Sequence, residues 1–361
     1  MRIVVAMSGG VDSSVAAALL VEQGHDVVGV HMKLHDVPSP EAAGASSGHC
    51  CGLDDALDAR RVAERLGVPF YVMDLREAFK KAVMDDLADA YAAGRTPNPC
   101  VQCNGVLKFD VLLTRARLLG ADALATGHYA RTDGRALRVA ADPDKDQSYF
   151  LWPIRPDALA RTRFPLGGMT KPEVRAHAER LGLVTARKPE SMEVCFLPDD
   201  DHARFVGEAR PDVVGEGDIV DETGRVLGRH DGYFRYTVGQ RRGLAVATGA
   251  PVYVLRVEPE TRRVVVGPDA RLLATTVELA GCRWLRAPGE GEELTVRVRH
   301  RGARVPCEAA RTEDGRATLV LRAPLRAVTP GQSAVIYVED ELVGGGYVTA
   351  ARHSAAQDAS P

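Results

Sequence analysis

Short apolar runs alternate with longer helical stretches over about the first 150 residues of the chain. The apolar runs predict strands, and they lie at residues 2–7, 27–32, 68–74 and 121–126. The stretches of helical composition lie at residues 14–23, 53–66, 76–93 and 106–119. Because strands that alternate with helices form parallel sheets through crossover connections, we predict a doubly wound α/β domain over residues 1–160.

The pattern changes twice after this domain. Thr170 and Glu173 have the spacing of a capping box, which predicts a helix running to about Leu181 in a small adaptor region, residues 161–212. Short apolar runs separated by turn signals such as Pro330-Gly331 then predict an antiparallel β-barrel over residues 213–353. Residues 354–361 lack apolar periodicity, and we expect a disordered tail there.

Composition narrows the class of protein. Hydrophobic residues at 45% and charged residues at 26% of 361 are typical of a globular protein with a sizeable core. Seven cysteines are too few for a disulfide scaffold, and the odd count suits free, reactive or metal-bound thiols in a reducing compartment. The sequence has neither a signal peptide nor an apolar run of ~18 residues, so we expect a cytoplasmic protein without a membrane partner.

The net charge of −3 argues against a bulk binder of nucleic acid, so any contact with nucleic acid must be local. One segment departs from the even charge balance, because it has five basic residues and no acid: Arg297, Arg299, His300, Arg301 and Arg304. The segment suits a local phosphate contact, and a solvated strand face explains it equally well.

A loop rich in glycine and serine, Ser8-Gly9-Gly10-Val11-Asp12-Ser13-Ser14, joins the first predicted strand to the first predicted helix. Its glycines permit a tight turn, and the helix N-terminus behind it favours an anion such as a polyphosphate. The chain has no Gly-Lys pair, which excludes the G-x-x-x-x-G-K-[ST] loop of nucleoside triphosphatases. The loop resembles the PP-loop of the ATP pyrophosphatases, which split ATP into AMP and pyrophosphate.

Two cysteine motifs point to thiol chemistry. Cys100 and Cys103 lie in a proline-rich loop, and we expect Cys103 to sit close to the N-terminus of a helix that starts near Val106, a position that favours the thiolate. The same C-x-x-C is half of a possible zinc or iron–sulfur site, for which His49, Cys50 and Cys51 are the remaining candidates. Cys195 lies in a polar loop, where a buried structural cysteine is the plain alternative.

Six motifs occur in an order that resembles the tRNA-specific 2-thiouridylase family, over about Ile3 to Ala350. Besides the glycine loop and the C-x-x-C, they are Gly127-His128-Tyr129, Asp146-Gln147-Ser148-Tyr149-Phe150-Leu151, Ser191-Met192-Glu193-Val194-Cys195-Phe196-Leu197-Pro198 and Gly239-Gln240-Arg241-Arg242-Gly243-Leu244. The resemblance implies a sulfurtransferase that adenylates the C2 oxygen of uridine 34 with ATP and replaces it with sulfur. ATP, with Mg²⁺, is implied at Ala6, Met7, Ser8, Gly9, Gly10, Val11, Asp12, Ser13, Met32 and Gly127.

The resemblance also implies the sulfur chemistry. Cys195 matches the persulfide carrier, loaded by an external donor protein, and Cys103 matches the partner thiol. Cys103 either releases hydrosulfide or expels sulfur into the product, and both routes end in a Cys103–Cys195 disulfide that needs a reductant. Many relatives carry Asp where this chain has Cys100, which leaves open an iron–sulfur cluster on Cys100, Cys103 and Cys195.

Contacts with tRNA are implied in three places. The resemblance implies that Asn98, Pro99 and Cys100 border the pocket for the target base. It implies that the entrance of this pocket is lined by Lys145, Asp146, Gln147 and Ser148. In the barrel, it implies a contact with tRNA at Arg299 and His300. The acceptors implied are the tRNAs for lysine, glutamate and glutamine. The alternatives are a PP-loop ligase or amidotransferase acting on a small molecule, and a zinc-stapled RNA-binding protein that uses Cys50, Cys51, Cys100 and Cys103.

Overall fold

The computed structural model of the chain describes residues 1–36, 53–190, 194–197, 201–311 and 314–352. His49, Cys50, Cys51 and the predicted tail at 354–361 lie outside these ranges. The described residues group into two compact units. The first comprises Met1–Val83, Cys100–Asp200 and Asp340–Leu342, and the second comprises Met84–Pro99, Asp201–Glu339 and Val343–Pro361.

The core of the first unit is a five-stranded parallel sheet in the order β3-β2-β1-β4-β7. Its strands are β1 (Arg2–Ala6), β2 (Asp26–Lys33), β3 (Phe70–Asp74), β4 (Ala123–Thr126) and β7 (Thr162–Arg163). A short hairpin of β5 (Arg131–Thr132) and β6 (Leu137–Arg138) pairs with Glu341 and Leu342. The predicted doubly wound α/β fold is confirmed, with each long strand within two residues of its predicted ends.

The helices divide between the two units, and those within residues 1–83 and 100–200 belong to the same unit as this sheet. The helices are α1 (Val11–Glu22), α2 (Leu53–Leu66), α3 (Arg76–Phe79), α4 (Asp85–Ala92), α5 (Pro99–Gln102), α6 (Leu113–Leu118), α7 (Pro156–Leu159), α8 (Lys171–Arg180) and α9 (His202–Ala209). Alanines and valines of α1 join Ile3, Val5 and Val174 in one buried core. The predicted capping box at Thr170 and Glu173 is confirmed at the start of α8.

Two helical stretches contain π-helical segments, Lys80–Met84 between α3 and α4, and Cys103–Leu112 between α5 and α6. The second stretch is helical from Pro99, so the prediction of a helix start near Val106 was wrong. A wide π-helical turn starts at Cys103 and continues the preceding helix, and Cys103 therefore follows α5 instead of opening a new helix. Single 3₁₀ turns occur at Ser148–Phe150, Pro211–Val213, Tyr233–Arg235 and Asp269–Leu272.

The second unit contains two β-sheets where the sequence predicted one barrel. The first has four strands in the order β10-β11-β8-β9: β8 (Gly217–Val220), β9 (Val226–His230), β10 (Tyr253–Glu258) and β11 (Arg263–Gly267). The other is an antiparallel barrel that β12 closes on β17: β12 (Leu273–Trp284), β13 (Leu294–Arg297), β14 (Val305–Arg311), β15 (Ala317–Arg326), β16 (Ser333–Val338) and β17 (Glu341–Arg352). The predicted boundaries at 160 and 212 stay predictions. Across the described ranges, no helix is long and apolar enough to span a membrane.

Candidate active site

The order of the sheet fixes where a ligand can bind. Chain order reverses between β1 and β4, which are hydrogen-bonded neighbours at the centre of the sheet. In open α/β sheets the crevice beyond the carboxyl ends of such a pair is the usual ligand site. The glycine loop follows β1, and Gly127 follows β4, so both lie at this crevice.

The glycine loop has a fixed shape. Gly9 has φ +81°, and a Cβ at this residue would lie 2.2 Å from the carbonyl oxygen of Asp55. Only glycine fits this close approach. The Ser13 hydroxyl accepts from the Ser8 amide at 3.1 Å and donates to the Gly10 carbonyl at 3.2 Å, so the turn into α1 is held by its own side chains.

Gly127 lies directly against this turn. A Cβ on Gly127 would lie 2.7 Å from the backbone nitrogen of Ser13, so a larger residue would displace the start of α1. Met32, on β2, pairs with Met73 of β3 and lies two residues beyond Val30, the partner of Ala6. The residues predicted to bind ATP therefore lie at the carboxyl ends of the central strands of the sheet. Their contact with ATP stays a prediction.

Sequence reasoning missed a buried lysine beside the loop. Lys171, the first residue of α8, has a side chain only 9% exposed, and its Nζ donates to both oxygens of Asp12 at 2.7 and 2.9 Å. Asp12 also accepts from the Tyr129 hydroxyl at 2.8 Å. Lys171 pairs with Glu190 at 2.8 Å, and Glu190 pairs in turn with Lys145 at 2.7 Å. Burial acts to raise the pKa of Glu190, but hydrogen bonds from the two lysines lower it to about 2.

A second lysine anchors the same stretch of chain. Lys188 donates to Asp55 and Asp58 of α2, at 2.7 Å in each case. Asp55 is the residue whose carbonyl touches Gly9. Two ion-paired residues therefore precede the Cys195 motif. Lys188 pairs with Asp55, whose carbonyl approaches Gly9. Glu190 pairs with Lys171, which also pairs with Asp12 of α1.

Cys103 is a half-buried thiol whose surroundings oppose its ionisation. Burial raises its pKa to about 12, an effect that the Lys108 ammonium opposes and that the charges of Cys195 and Cys100 increase. Burial and Cys195 also raise the pKa of the Cys100 thiol, although part of this residue is exposed. The prediction of a thiolate favoured at a helix N-terminus is therefore wrong for this arrangement of Cys103, because desolvation outweighs any helix-end effect.

Lys108 connects the thiols to the sheet. Its Nζ lies 3.4 Å from Nε2 of His128, and Nδ1 of His128 lies 2.7 Å from the Thr126 hydroxyl at the end of β4. Burial and the charge of Lys108 hold the pKa of His128 well below its usual range, so this imidazole is neutral. Since Gly127 lies between Thr126 and His128, the cation beside Cys103 is joined to the strand end that supports the glycine loop.

Cys195 lies close to both other thiols. It sits in a turn over residues 194–197, closed by a hydrogen bond from the Leu197 amide to the Val194 carbonyl. Its charge contributes to the raised pKa of Cys100 and of Cys103, so Cys195 lies within electrostatic range of both. None of the three forms a disulfide within the part of the chain that the structure describes. Among the described residues, no group of three His, Cys, Asp or Glu side chains is arranged to hold a metal ion, so the three cysteines do not fit an iron–sulfur cluster in this arrangement.

The residues predicted to contact tRNA fall in different settings. Asp146 and Ser148 are buried, and the Asp146 carboxylate accepts from the Ser148 hydroxyl at 3.0 Å and from two backbone amides. The Gln147 side chain accepts from the Tyr129 amide at 2.9 Å, and Lys145 is paired with Glu190. Asp146, Gln147 and Ser148 therefore have structural bonds of their own, and their contact with RNA stays a prediction. Asn98 and Pro99 are half-buried, and both belong to the second unit.

The arginine-rich segment follows β13 in the barrel. Arg297 and Arg304 lie over the Tyr337 ring, at 5.7 and 3.8 Å from its centroid, so these two support the barrel. Arg299 is exposed, although one of its nitrogens donates to the Ala327 carbonyl at 2.6 Å, and His300 is half-exposed. The predicted RNA contact at Arg299 and His300 therefore falls on the accessible part of the segment.

Models of known domain families match the chain in three successive parts. They are described as a tRNA methyl transferase HUP domain (residues 1–199), a tRNA methyl transferase PRC-barrel domain (residues 203–268) and an aminomethyltransferase beta-barrel domain (residues 275–348). Together with the glycine loop at the switch point of the sheet, they define the class: a PP-loop enzyme whose α/β domain precedes two β domains.

Curated relatives narrow the class to one family. The tRNA-specific 2-thiouridylase MnmA of Geobacter metallireducens is 51% identical over 357 residues, which cover 97% of each chain. The tRNA-specific 2-thiouridylase MnmA of Rhodospirillum centenum is 48% identical over 373 residues, covering 100% of this chain and 94% of that one. The chain belongs to the tRNA-specific 2-thiouridylase family, as the motifs predicted.

A solved 4-thiouridine synthetase–RNA complex with bound ATP is also similar, at 18% identity and a TM-score of 0.36. The match covers 58% of this chain and 50% of that one. This likeness is too distant to bear on the site.

Proposed function

We propose that this enzyme is an ATP-dependent tRNA sulfurtransferase, which replaces the C2 oxygen of uridine 34 with sulfur and yields 2-thiouridine, AMP and pyrophosphate. The observation that carries the proposal is that Cys100, Cys103 and Cys195 lie within range of one another's charge, in the unit that also holds the glycine loop. Full-length similarity to tRNA-specific 2-thiouridylases supports the same reaction and the same substrate class. A small-molecule ligase would have no use for this cluster of thiols.

The glycine loop would perform the first half of the reaction. A urea-like carbonyl is a poor electrophile, and its oxygen is a poor leaving group. Attack of the C2 oxygen on the α-phosphate of ATP releases pyrophosphate and converts that oxygen into part of AMP, which leaves readily. Backbone N–H groups from Ser8 to Ser13 would hold the phosphates at the N-terminus of α1. A Mg²⁺ ion accompanying ATP would supply positive charge beside the phosphates. The Asp12 carboxylate is already engaged by Lys171 and Tyr129, so it would hold the start of α1 in place.

The cysteines would perform the second half. The outer sulfur of a Cys195 persulfide attacks C2, or Cys103 first frees it as hydrosulfide that attacks C2. In either route AMP leaves from C2, and Cys103 attacks Sγ of Cys195 to form a disulfide, which an external thiol then reduces. Both routes need Cys103 as a thiolate, and Lys108 is the cation that favours that form.

Partners follow from the same chemistry. We infer that the substrate is a tRNA for lysine, glutamate or glutamine in the cytoplasm, and that a persulfide-bearing donor protein supplies the sulfur. Uridine 34 lies in a single-stranded loop, so its extrusion toward Cys100 costs little beyond unstacking. Arg299 and His300 would contact the RNA backbone from the barrel.

An assay in vitro tests the proposal. Purified protein is incubated with ATP, a persulfide donor and unmodified tRNA, and the product is read by gel retardation that detects thiouridine. We expect 2-thiouridine from the natural chain and none from Cys103→Ala or Cys195→Ala. Cys282→Ala is the matched control, because Cys282 is a half-buried thiol on β12 of the second unit.

Two outcomes would count against the proposal. Full activity in Cys195→Ala would remove the persulfide step. Release of pyrophosphate with a small carboxylic acid and without RNA would favour the ligase or amidotransferase instead.

A further inference from the structure

One histidine lies beside Cys195 and has no part in the proposed steps so far. His35 follows β2, and its ring contacts Phe79, with centroids 6.1 Å apart. Phe79 is fully buried at the end of α3, and it also meets Phe196 edge to face at 5.4 Å. Because Phe79 contacts both rings, it holds the turn that bears Cys195 next to the imidazole of His35.

The imidazole and the thiol are in direct contact. The side chain of His35 hydrogen-bonds the side chain of Cys195 and also lies against the Cys195 backbone. Nε2 of His35 is buried and makes no hydrogen bond to any residue that the structure describes. A buried ring nitrogen without a protein partner is costly, and an imidazole can hold a proton near neutral pH.

The charges around His35 favour an ion pair with Cys195. Burial acts to lower the pKa of His35, but the hydrogen bond and the negative charge of Cys195 outweigh it and raise this pKa. The neighbouring Asp36 is already neutralised, since Lys33 lies at 2.9 Å and Arg76 at 2.7 Å from its carboxylate. Cys195 therefore remains as the anionic partner of the imidazolium, and the pairing favours the thiolate in return.

We propose that His35 is a positioning residue that holds Cys195 as a thiolate, ready to take up sulfur from a persulfide donor. The inference rests on the proposed function, and it names the residue that prepares the first sulfur step. The Cys195 thiolate attacks the outer sulfur of the donor persulfide R–S–S–H. The new bond joins Sγ of Cys195 to that sulfur, the S–S bond of the donor breaks, and R–S⁻ leaves and takes a proton from water. No net oxidation occurs, because one S–S bond replaces another.

Alkylation of Cys195 by iodoacetamide tests the inference without requiring thiolation activity. The rate is followed from about pH 6 to about pH 9 by mass spectrometry of the peptide that contains Cys195. We expect the natural protein to react with an apparent pKa below the ordinary value of about 8.5. In His35→Phe and His35→Gln the apparent pKa should rise, and the rate at neutral pH should fall about fivefold. His25→Gln, at the residue just before β2, is the matched control and should leave the profile unchanged.

The possible results separate the two proposals. Identical profiles in the natural protein and in both His35 variants, with normal thiolation of tRNA, would overturn the inference alone. A shifted profile in both variants, with no 2-thiouridine from the natural protein, would overturn the proposed function and support the contact. Circular dichroism and the alkylation rate of Cys282 verify that the variants are folded, so that a loss of structure is not mistaken for a loss of the ion pair.

Discussion

The surroundings of Cys103 and of Cys195 affect the two thiols in opposite ways. Cys103 lies within a long helical stretch, where burial raises its pKa to about 12 and Lys108 only partly opposes the effect. Cys195 lies in a short turn against an imidazole whose pKa it raises. The raised pKa keeps Cys103 protonated at neutral pH, whereas pairing with an imidazolium favours the thiolate of Cys195.

The difference indicates an order of events. In the proposed mechanism Cys195 accepts sulfur first, because its contact with His35 favours the anionic form that attacks. Cys103 stays protonated at that stage, and the charge of Cys195 contributes to this because two thiolates close together repel each other. A protonated Cys103 cannot discharge the new persulfide early, which would waste sulfur before an adenylated uridine is present.

The largest effect should appear when sulfur is loaded without ATP or tRNA. After incubation with a persulfide donor, mass spectrometry should find the added sulfur on Cys195 and none on Cys103. Cys103→Ser should accumulate the Cys195 persulfide, whereas Cys195→Ser should load no sulfur. Both variants should lose turnover by about a hundredfold or more, as expected for removal of a nucleophile. Added sulfur on Cys103 in the Cys195→Ser protein would reverse the assigned order.

A smaller effect is expected from Lys108→Met. Without the ammonium, the pKa of Cys103 should rise further, so less thiolate is present at any given pH and the discharge step should slow about tenfold at pH 7. The half-maximal rate should move to higher pH. Single-turnover thiolation by protein already loaded at Cys195 measures this step.

Lys108→Arg is the matched control, because it keeps the positive charge and should keep most of the rate. The alkylation profile of Cys195 should be the same in all three proteins. A discharge rate whose dependence on pH is the same in Lys108→Met as in the natural chain would remove Lys108 from the mechanism.

Local sequence patterns predicted the frame of the site well. The glycine loop was found because a buried strand, a tight turn and a helix follow one another within about 20 residues, and each is encoded locally. The parallel sheet followed from the same periodicity. The helix that contains Cys103 begins earlier in the chain than predicted. Two prolines before Cys103 favour a loop, and residue propensities do not indicate a π-helical turn.

The charged network could not be predicted in the same way. Lys171 and Asp12 are 159 positions apart, and Lys188 lies 133 positions from Asp55, so no local pattern joins them. One signal was present. Lys171 is the first residue of a helix, where a cation is unfavourable beside the positive end of the helix dipole. A lysine retained there indicates an anionic partner elsewhere, and the structure supplies Asp12 and Glu190.

The smallest effect is expected from Glu190→Gln, which loosens the anchor of Cys195 and leaves that of Cys103 in place. Glu190 pairs with Lys171 and Lys145, five positions before Cys195. We expect the free energy of unfolding to fall by about 1 kcal/mol at pH 7, measured by urea denaturation. Alkylation of Cys195 should change about twofold, because its position against His35 is less constrained.

The dependence on pH has a definite sign. The pKa of Glu190 is about 2 in the folded chain and about 4.3 when unfolded, so its stabilising effect is complete above pH 5 or so and is lost as the pH falls toward 2. The difference in stability between the natural chain and Glu190→Gln should therefore shrink below about pH 4. Alkylation of Cys103 is the internal control and should not change. If Glu190→Gln changed the alkylation rates of Cys103 and Cys195 equally, Glu190 would not act on Cys195 alone. The helix that holds Cys103 and the turn that holds Cys195 would then not be independent.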